Sequence, residues 1–150
     1  MQDRYLFKAK RIDNGEWIQG YYVRGLDVFT NCEEIHMIFE PTTIFYSSGE
    51  TDGFVEVDRS TICQCTGLKD KNGKLIWEND ICDRKEKYLE IIKYNKGDWT
   101  LDYSYSKGKE SGYCYCNLGF YALEQEYVEV IGNIFDNSEL LESEDKEECF

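Results

Sequence analysis

A chain of 150 residues carries 17 Lys and Arg against 30 Asp and Glu, which gives a formal net charge of −13. This length predicts a single domain, since a domain of this size buries roughly 70% of the surface that its unfolded chain exposes and needs no disulfide. No apolar run reaches the roughly 18 residues of a membrane helix, and the charged residues 1–11 differ from a secretory signal. We therefore expect a cytoplasmic protein with no membrane contact.

The N-terminal part of the chain contains a hairpin signal. Asn14-Gly15 separates two runs rich in aromatic and apolar residues, 5–10 and 17–23. Because both residues of an Asn-Gly pair tolerate a positive φ, this dipeptide is typical of a two-residue hairpin turn. The sequence therefore predicts an opening β-hairpin.

Residues 33–40 alternate between polar and apolar side chains. The pattern predicts a strand with His36 facing water and three apolar side chains facing inward, namely Ile35, Met37 and Phe39. His36 is the only histidine, so any Ser-His or Cys-His catalytic arrangement must use it. Without a recognised motif around it, the strand is the favoured interpretation. Pro41 is expected to end the segment.

Turn signals continue through the middle of the chain. Asn72-Gly73 predicts a second hairpin. Asn79 predicts a tight reversal, because asparagine is among the few residues that tolerate the left-handed region. Residues 95–98 separate two strand candidates, 88–94 and 99–105, and the second of these has the clearest alternation in the chain.

The C-terminal part combines a strand, a helical turn and an acidic tail. Residues 127–135 are predicted to form a strand. Asn137-Ser138 is expected to cap a short helix over 139–141. Residues 142–150 are rich in acids and are predicted to be disordered, since they cannot bury enough apolar surface to become ordered.

Three segments resemble, in order, the signature of the YopX family, whose members are small proteins of bacteriophages and prophages. The most specific is 66–81, TGLKDKNGKLIWENDI, and the others are the opening 7–10 and the closing 130–137 followed by 139–141. Residues 25–58 and 84–127 match weakly. Glycine is usual in the family where Asn79 stands, which keeps the turn, and an aromatic residue is usual where Cys65 stands, so Cys65 is expected to fill a packing position.

The resemblance implies a mainly β fold. It implies a small SH3-like barrel, to which the patterns described above add an N-terminal β-hairpin layer and a short C-terminal helix. We expect a single domain over 1–141, with 1–60 as a candidate separate β layer. The resemblance assigns no reaction. The motif is expected to act through turns at Gly67, Gly73 and Asn79 and through four core side chains: Leu68, Ile76, Trp77 and Ile81.

Seven cysteines are an odd number, and their spacing does not resemble a secreted disulfide framework. Cys63 with Cys65, and Cys114 with Cys116, could together supply four thiolates to zinc. A single intervening residue does not match the usual zinc spacing. Alternation on a strand explains the pairs more simply, since residues two apart share a face and cysteine packs as a small apolar side chain.

One region of the chain has a basic balance. Residues 66–96 carry 8 basic and 6 acidic groups. Lysines and an arginine lie near two candidate exposed aromatic residues, Trp77 and Tyr88, which would suit a nucleic-acid-binding face. Interleaved acids, including Asp70 and Asp80, are expected to cancel most of this field.

We therefore predict an accessory protein encoded by a phage or prophage, non-enzymatic, that binds a host or phage protein and associates with itself. The acidic surface favours a basic partner. The alternative is a nucleic-acid-binding accessory factor that uses the hairpin region from Lys69 to Lys87. No catalytic, cofactor-binding or metal-ligating residue is assigned, and no cofactor is expected.

Overall fold

The computed structural model describes residues 2–45, 51–106, 115–124 and 126–142. Within these residues every pair of neighbouring strands is antiparallel, so the mainly β prediction is confirmed. The chain divides into two compact units, Met1–Cys65 and Thr66–Phe150. No helix among the described residues is long and apolar enough to cross a membrane.

Five strands build the first unit and hydrogen bond in the order β4-β3-β2-β1-β5. They are β1 (Phe7–Lys10), β2 (Trp17–Asp27), β3 (Glu33–Phe45), β4 (Thr51–Glu56) and β5 (Cys63–Lys69), whose last residues belong to the second unit. Short 3-10 turns occur at Gln2–Tyr5 and Arg59–Thr61. The hydrophobic core of this unit contains Ala9, Ile18, Ile38 and Val57.

The predicted opening hairpin is present, with Lys10 opposite Trp17. The predicted two-residue turn is wrong. The chain reverses over a longer loop, closed by the backbone N–H of Arg11 donating to the carbonyl of Glu16 at 2.9 Å. Within this fully described loop only Gly15 has a positive φ, 73°, so the geometry of a two-residue Asn-Gly turn does not arise.

Strand β3 does not end at Pro41, contrary to the prediction from sequence. Proline has no N–H to donate to a neighbouring strand. The pairing of β3 with β4 correspondingly shifts its register between Phe39 and Ile44, and Pro41 lies in that irregular stretch. An irregularity in the ladder thus accommodates the proline without ending the strand.

The second unit contains the end of β5 and six further strands. These are β6 (Leu75–Trp77), β7 (Asp80–Asp83), β8 (Glu90–Asn95), β9 (Asp98–Asp102), β10 (Tyr115–Asn117) and β11 (Glu129–Asn133). Five of them form a sheet in the order β10-β9-β8-β7-β11. Its core contains Ile76, Cys82, Ile92, Leu101, Leu118, Ala122 and Val128.

Three of the four turns predicted in this unit are confirmed, whereas the turn predicted at Gly67 is wrong, since Gly67 lies within β5 with a φ of 78°. Gly73 and Asn79 have positive φ values of 82° and 68°. The β8–β9 turn places Lys96 and Gly97 in the same left-handed region, as a two-residue hairpin turn requires. The side chain of Asp80 accepts the backbone N–H of Trp77 at 2.8 Å and so fixes the reversal at Asn79.

The second unit contains only short helical segments among its described residues, beginning with a 3-10 turn at Ser104–Ser106. A π-helical turn covers Phe120–Glu124, and a helix covers 139–142. The predicted cap is only partly correct, because the side chain of Asn137 instead accepts the backbone N–H of Asn133 at 3.1 Å. Residues 143–150, most of the predicted disordered tail, lie outside the described residues.

Candidate functional site

The long hairpin of β2 and β3 presents apolar side chains to solvent. The two strands pair in seven consecutive steps, from Tyr21 opposite Phe39 to Asp27 opposite Glu33. Among the described strands, β1 pairs with β2 only over the first residues of β2, 17–20, and β4 pairs with β3 no nearer to the turn than Met37. Over residues 25–35, which we call the arm, the two strands therefore have only each other as ladder partners.

The end of the arm is exposed and ordered. Phe29 is 95% exposed, and Val28 and Leu26 are 73% and 64% exposed. The carboxylate of Asp27 accepts the backbone N–H of Phe29 at 2.9 Å, which fixes the turn. Large apolar side chains held outward in a defined conformation are typical of protein interaction sites.

A polar pocket of about 570 Å³ lies in the same unit. Its lining includes three cationic side chains, Lys10, Arg11 and Arg59, and three carboxylates, Glu34, Glu56 and Asp58. His36 also lines it. The alternation of β3 explains why Glu34 and His36 reach the same pocket, since residues two apart share a face of the strand.

His36 is only 8% exposed, so the prediction that it faces water is wrong. The inward face of β3 carries His36 and Ile38, whereas Ile35 lies among the half-buried residues. The hydroxyl of Tyr22 lies 2.5 Å from Nδ1 of His36, and the two rings are nearly parallel. A satisfied ring nitrogen and ring stacking make burial of the histidine possible, and the hydropathy pattern does not contain this information.

Three donor groups converge on the carboxylate of Glu34. Arg24 Nε lies 3.0 Å from Oε1, Arg59 Nη1 lies 3.3 Å from Oε2, and His36 Nε2 lies 3.6 Å from the same Oε2. The last distance exceeds that of a hydrogen bond. Nε2 is buried and has no hydrogen-bond partner among the described residues. The sequence pattern does not identify Arg24 as a member of this group, since only the strand register places it directly opposite His36.

The two aromatic residues predicted to be exposed in the basic region are buried. Trp77 and Tyr88 are 4% and 6% exposed, so the prediction that they are exposed is wrong. Trp77 belongs to the β6 strand that packs inward, consistent with its other predicted role as a core residue. The guanidinium of Arg84 is also largely buried and bonds both carboxylate oxygens of Glu90.

Two of the acids expected to cancel the basic field are buried instead. Asp70 and Asp80 are 7% and 2% exposed, and both accept backbone N–H groups. The exposed lysines include Lys69, Lys71 and Lys74. Lys71 pairs with Glu129 at 2.9 Å. The surface around this hairpin therefore carries lysines but neither of the two aromatic residues predicted to stack bases.

Among the described cysteines, Cys63, Cys65 and Cys82 are buried and pack as apolar side chains, whereas Cys32 is exposed and Cys116 is half-buried. Cys63 and Cys65 are both 0% exposed, as alternation on β5 predicts. The thiol of Cys63 donates to the carbonyl of Thr61, and the sulfur of Cys116 accepts from Arg84 at 3.3 Å. Cys114 and Cys149 lie outside the described residues. Within the described ranges, no group of three or more His, Cys, Asp and Glu is placed to hold a metal ion.

These features define a mainly β protein with an exposed apolar arm and a polar pocket. A family model described as YopX protein matches residues 7–142, so this chain belongs to the YopX family. Among solved structures, the chain is similar to the crystal structure of protein yopX from Bacillus subtilis, with 18% identity and a TM-score of 0.49 over 92% of this chain and 98% of that one. No curated protein matches this chain.

Proposed function

We propose that this YopX family protein is a non-enzymatic accessory module that binds another protein through its arm. The observation that carries the proposal is the exposure of Phe29, Val28 and Leu26 at the end of a hairpin that extends beyond its neighbouring strands. Exposing three large apolar groups in one place is unfavourable in water unless a partner covers them. An ordered turn also lowers the entropy cost of docking.

The charge of the arm specifies the kind of partner. Residues 25–35 contain three acids, Asp27, Glu33 and Glu34, and no lysine or arginine. Arg24 and Arg59 neutralise Glu34, which leaves Asp27 and Glu33 near the apolar tip. The complementary surface is an apolar pocket with a basic rim, and the net charge of −13 favours encounter with such a partner.

The experiment compares three forms of the full chain as bait in a nuclease-treated bacterial lysate. The arm variant is Val28→Ser with Phe29→Ser, and the matched control is Leu123→Ser, which removes an apolar side chain that is 64% exposed in the other unit. A protein that is retained by the natural chain and by the control, but lost with the arm variant, supports the proposal. Purified partner and bait must then form a complex that weakens as salt is raised.

Loss with both variants, or with neither, contradicts the role of the arm. Self-association belongs to the same proposal, and sedimentation equilibrium tests it: a dimer that dissociates only in the arm variant identifies a second copy as the occupant. Partners that all disappear on nuclease treatment would instead support the nucleic-acid alternative, for which the exposed Lys69, Lys71 and Lys74 are the remaining argument.

The phage or prophage origin, the cytoplasmic location and the SH3-like barrel are parts of this proposal. Support for the barrel comes from the five antiparallel strands of the second unit and their short reversals at Asn79 and Lys96-Gly97. An experimental structure in which the edge strands β10 and β11 pair with each other would establish closure. Edges left unpaired would contradict it.

A further inference from the structure

Three donors surround the carboxylate of Glu34, and Glu34, His36 and Arg59 line the pocket beside β3 while Arg24 reaches Glu34 from outside that lining. Arg24, Arg59 and His36 all face the carboxylate of Glu34, which belongs to the protein itself. The two carboxylate oxygens of Glu34 contact different numbers of these donors. One oxygen bonds Arg24, while the other lies between Arg59 and His36 and is too far from Nε2, at 3.6 Å, for a hydrogen bond.

His36 lines the pocket and is buried, and one of its ring nitrogens, Nε2, has no hydrogen-bond partner among the described residues. Its side chain is 9% exposed, and Nε2 itself has almost no contact with solvent. When the Tyr22 hydroxyl donates to Nδ1, the ring proton resides on Nε2, which makes Nε2 a donor. A buried donor without an acceptor costs free energy, and such groups often mark a binding site.

Once Glu34 turns outward, the charges of the lining nearly balance, so directed donors rather than net charge hold an anion there. Without Glu34, the remaining charged side chains of the pocket are Lys10, Arg11 and Arg59 against Glu56 and Asp58. Asp13 neutralises Arg11 at 2.7 Å. The carboxylate of Asp58 is itself engaged, since it accepts from the backbone N–H and the hydroxyl of Ser60.

We propose that Arg24, His36 and Arg59 form a binding site for a phosphate group, which Glu34 occupies in the unliganded protein. A phosphate has one oxygen for each of the three donors and more charge than a carboxylate, so it satisfies Nε2, which Glu34 does not. Glu34 is 32% exposed and can rotate toward water when it is displaced. The volume of about 570 Å³ leaves room for the group to which the phosphate is esterified.

The chain offers a direct readout, because His36 is its only histidine and gives the only imidazole signals in a nuclear magnetic resonance spectrum. The natural chain is titrated with inorganic phosphate at constant ionic strength. The proposal expects a saturable shift of the His36 ring nitrogens, and chloride at the same ionic strength should give none. Failure to saturate by about 20 mM phosphate overturns the proposal, since such binding is too weak to be specific.

Two matched variants distinguish displacement of the Glu34 carboxylate by phosphate from the general effect of removing a negative charge near the site. Glu34→Gln and Glu56→Gln each remove one negative charge from the same pocket. The proposal expects Glu34→Gln to raise phosphate affinity about tenfold, because the internal competitor is gone, and Glu56→Gln to raise it less than about threefold. Equal effects overturn the proposal.

A third variant tests the donors themselves. Arg59→Gln changes a side chain that is 74% exposed, so the fold is expected to remain intact, and circular dichroism checks this. Its phosphate affinity should fall at least fivefold. An unchanged affinity overturns the proposal even if Glu34→Gln proves unstable.

Two phosphate esters, each compared with inorganic phosphate, test which kind of molecule supplies the phosphate group. O-phosphoserine that binds more tightly than inorganic phosphate points to a phosphorylated protein, and a nucleoside monophosphate that binds more tightly points to a nucleotide. Equal affinities point to free phosphate. Glu34 lies in the arm, but the arm variant at Val28 and Phe29 changes neither Glu34 nor the three donors, so failure of the capture experiment leaves this proposal intact and the reverse also holds.

Discussion

The carboxylate of Asp70 accepts the backbone N–H of Val130 at 3.0 Å, although sixty residues separate the two in sequence. Its other oxygen accepts the backbone N–H groups of Asn72 and Lys74, both at 2.9 Å. One buried carboxylate thus fixes the Asn72-Gly73 hairpin and attaches it to the closing strand β11. The two family segments 66–81 and 130–137 meet at this group, so the motif has a structural role.

Asp70→Asn should destabilise the second unit by about 2–4 kcal/mol. The amide keeps one acceptor oxygen but turns an NH₂ group toward backbone N–H donors, and hydrogen bonds to a charged group are stronger than neutral ones. Urea unfolding at neutral pH measures the difference. Asp98→Asn, in the exposed β8–β9 turn, is the control and should leave the stability unchanged. Equal effects of the two changes would contradict this role for Asp70.

The same group predicts a pH dependence. Burial acts to raise the pKa of Asp70, but the N–H groups of Val130, Lys74 and Asn72 outweigh it and hold the pKa below its ordinary value of 3.8. A carboxyl with a lowered pKa in the folded state contributes stability above its unfolded pKa and loses that contribution as pH falls through the folded pKa.

The stability difference between the natural chain and Asp70→Asn should therefore be constant above about pH 5 and shrink as the pH falls below 3.8. Urea midpoints of both proteins across this range provide the measurement. A difference that persists undiminished to about pH 2 would show that the charge on Asp70 is irrelevant.

Sequence patterns were most informative where turn chemistry determines the structure. Gly73, Asn79 and the β8–β9 turn were predicted, because few residues adopt a positive φ. Side-chain pairing across strands was not predictable. His36 was assigned to the wrong face, since its burial depends on Tyr22, a partner fourteen residues away on β2. The arm was also not predicted. Residues 25–58 match the family signature weakly, and no local sequence pattern shows that two strands extend beyond the neighbouring strands of their sheet.

Gly20→Ala should destabilise the first unit by about 3 kcal/mol. A Cβ at Gly20 would overlap the backbone carbonyl of Phe39, which belongs to β3 and cannot move without breaking the ladder. Gly25→Ala is the control on the same strand, since nothing lies within 4 Å of its added Cβ. The control should be neutral or slightly stabilising. Thermal unfolding of both variants tests this, and similar midpoints would contradict the close approach.

The ion pair of Arg84 and Glu90 should behave as one unit. Both side chains are largely buried, at 9% and 2% exposure, and the guanidinium also contacts the sulfur of Cys116 and stacks on the ring of Tyr121. Burial raises the pKa of Glu90, and Arg84 opposes this shift. Arg84→Met should therefore cost about 3–5 kcal/mol, because it leaves a carboxylate buried without its partner.

Replacing both members by apolar residues, Arg84→Met with Glu90→Leu, should restore most of the stability that the single change removes, since no unpaired charge remains. Urea unfolding of the natural chain, both single variants and the double variant gives the coupling between them. Lys85→Met removes the adjacent cation from its exposed pair with Asp83 and should leave stability unchanged. A double variant as unstable as the sum of its parts would show that Arg84 and Glu90 act independently, and that Arg84 contributes mainly through Cys116 and Tyr121.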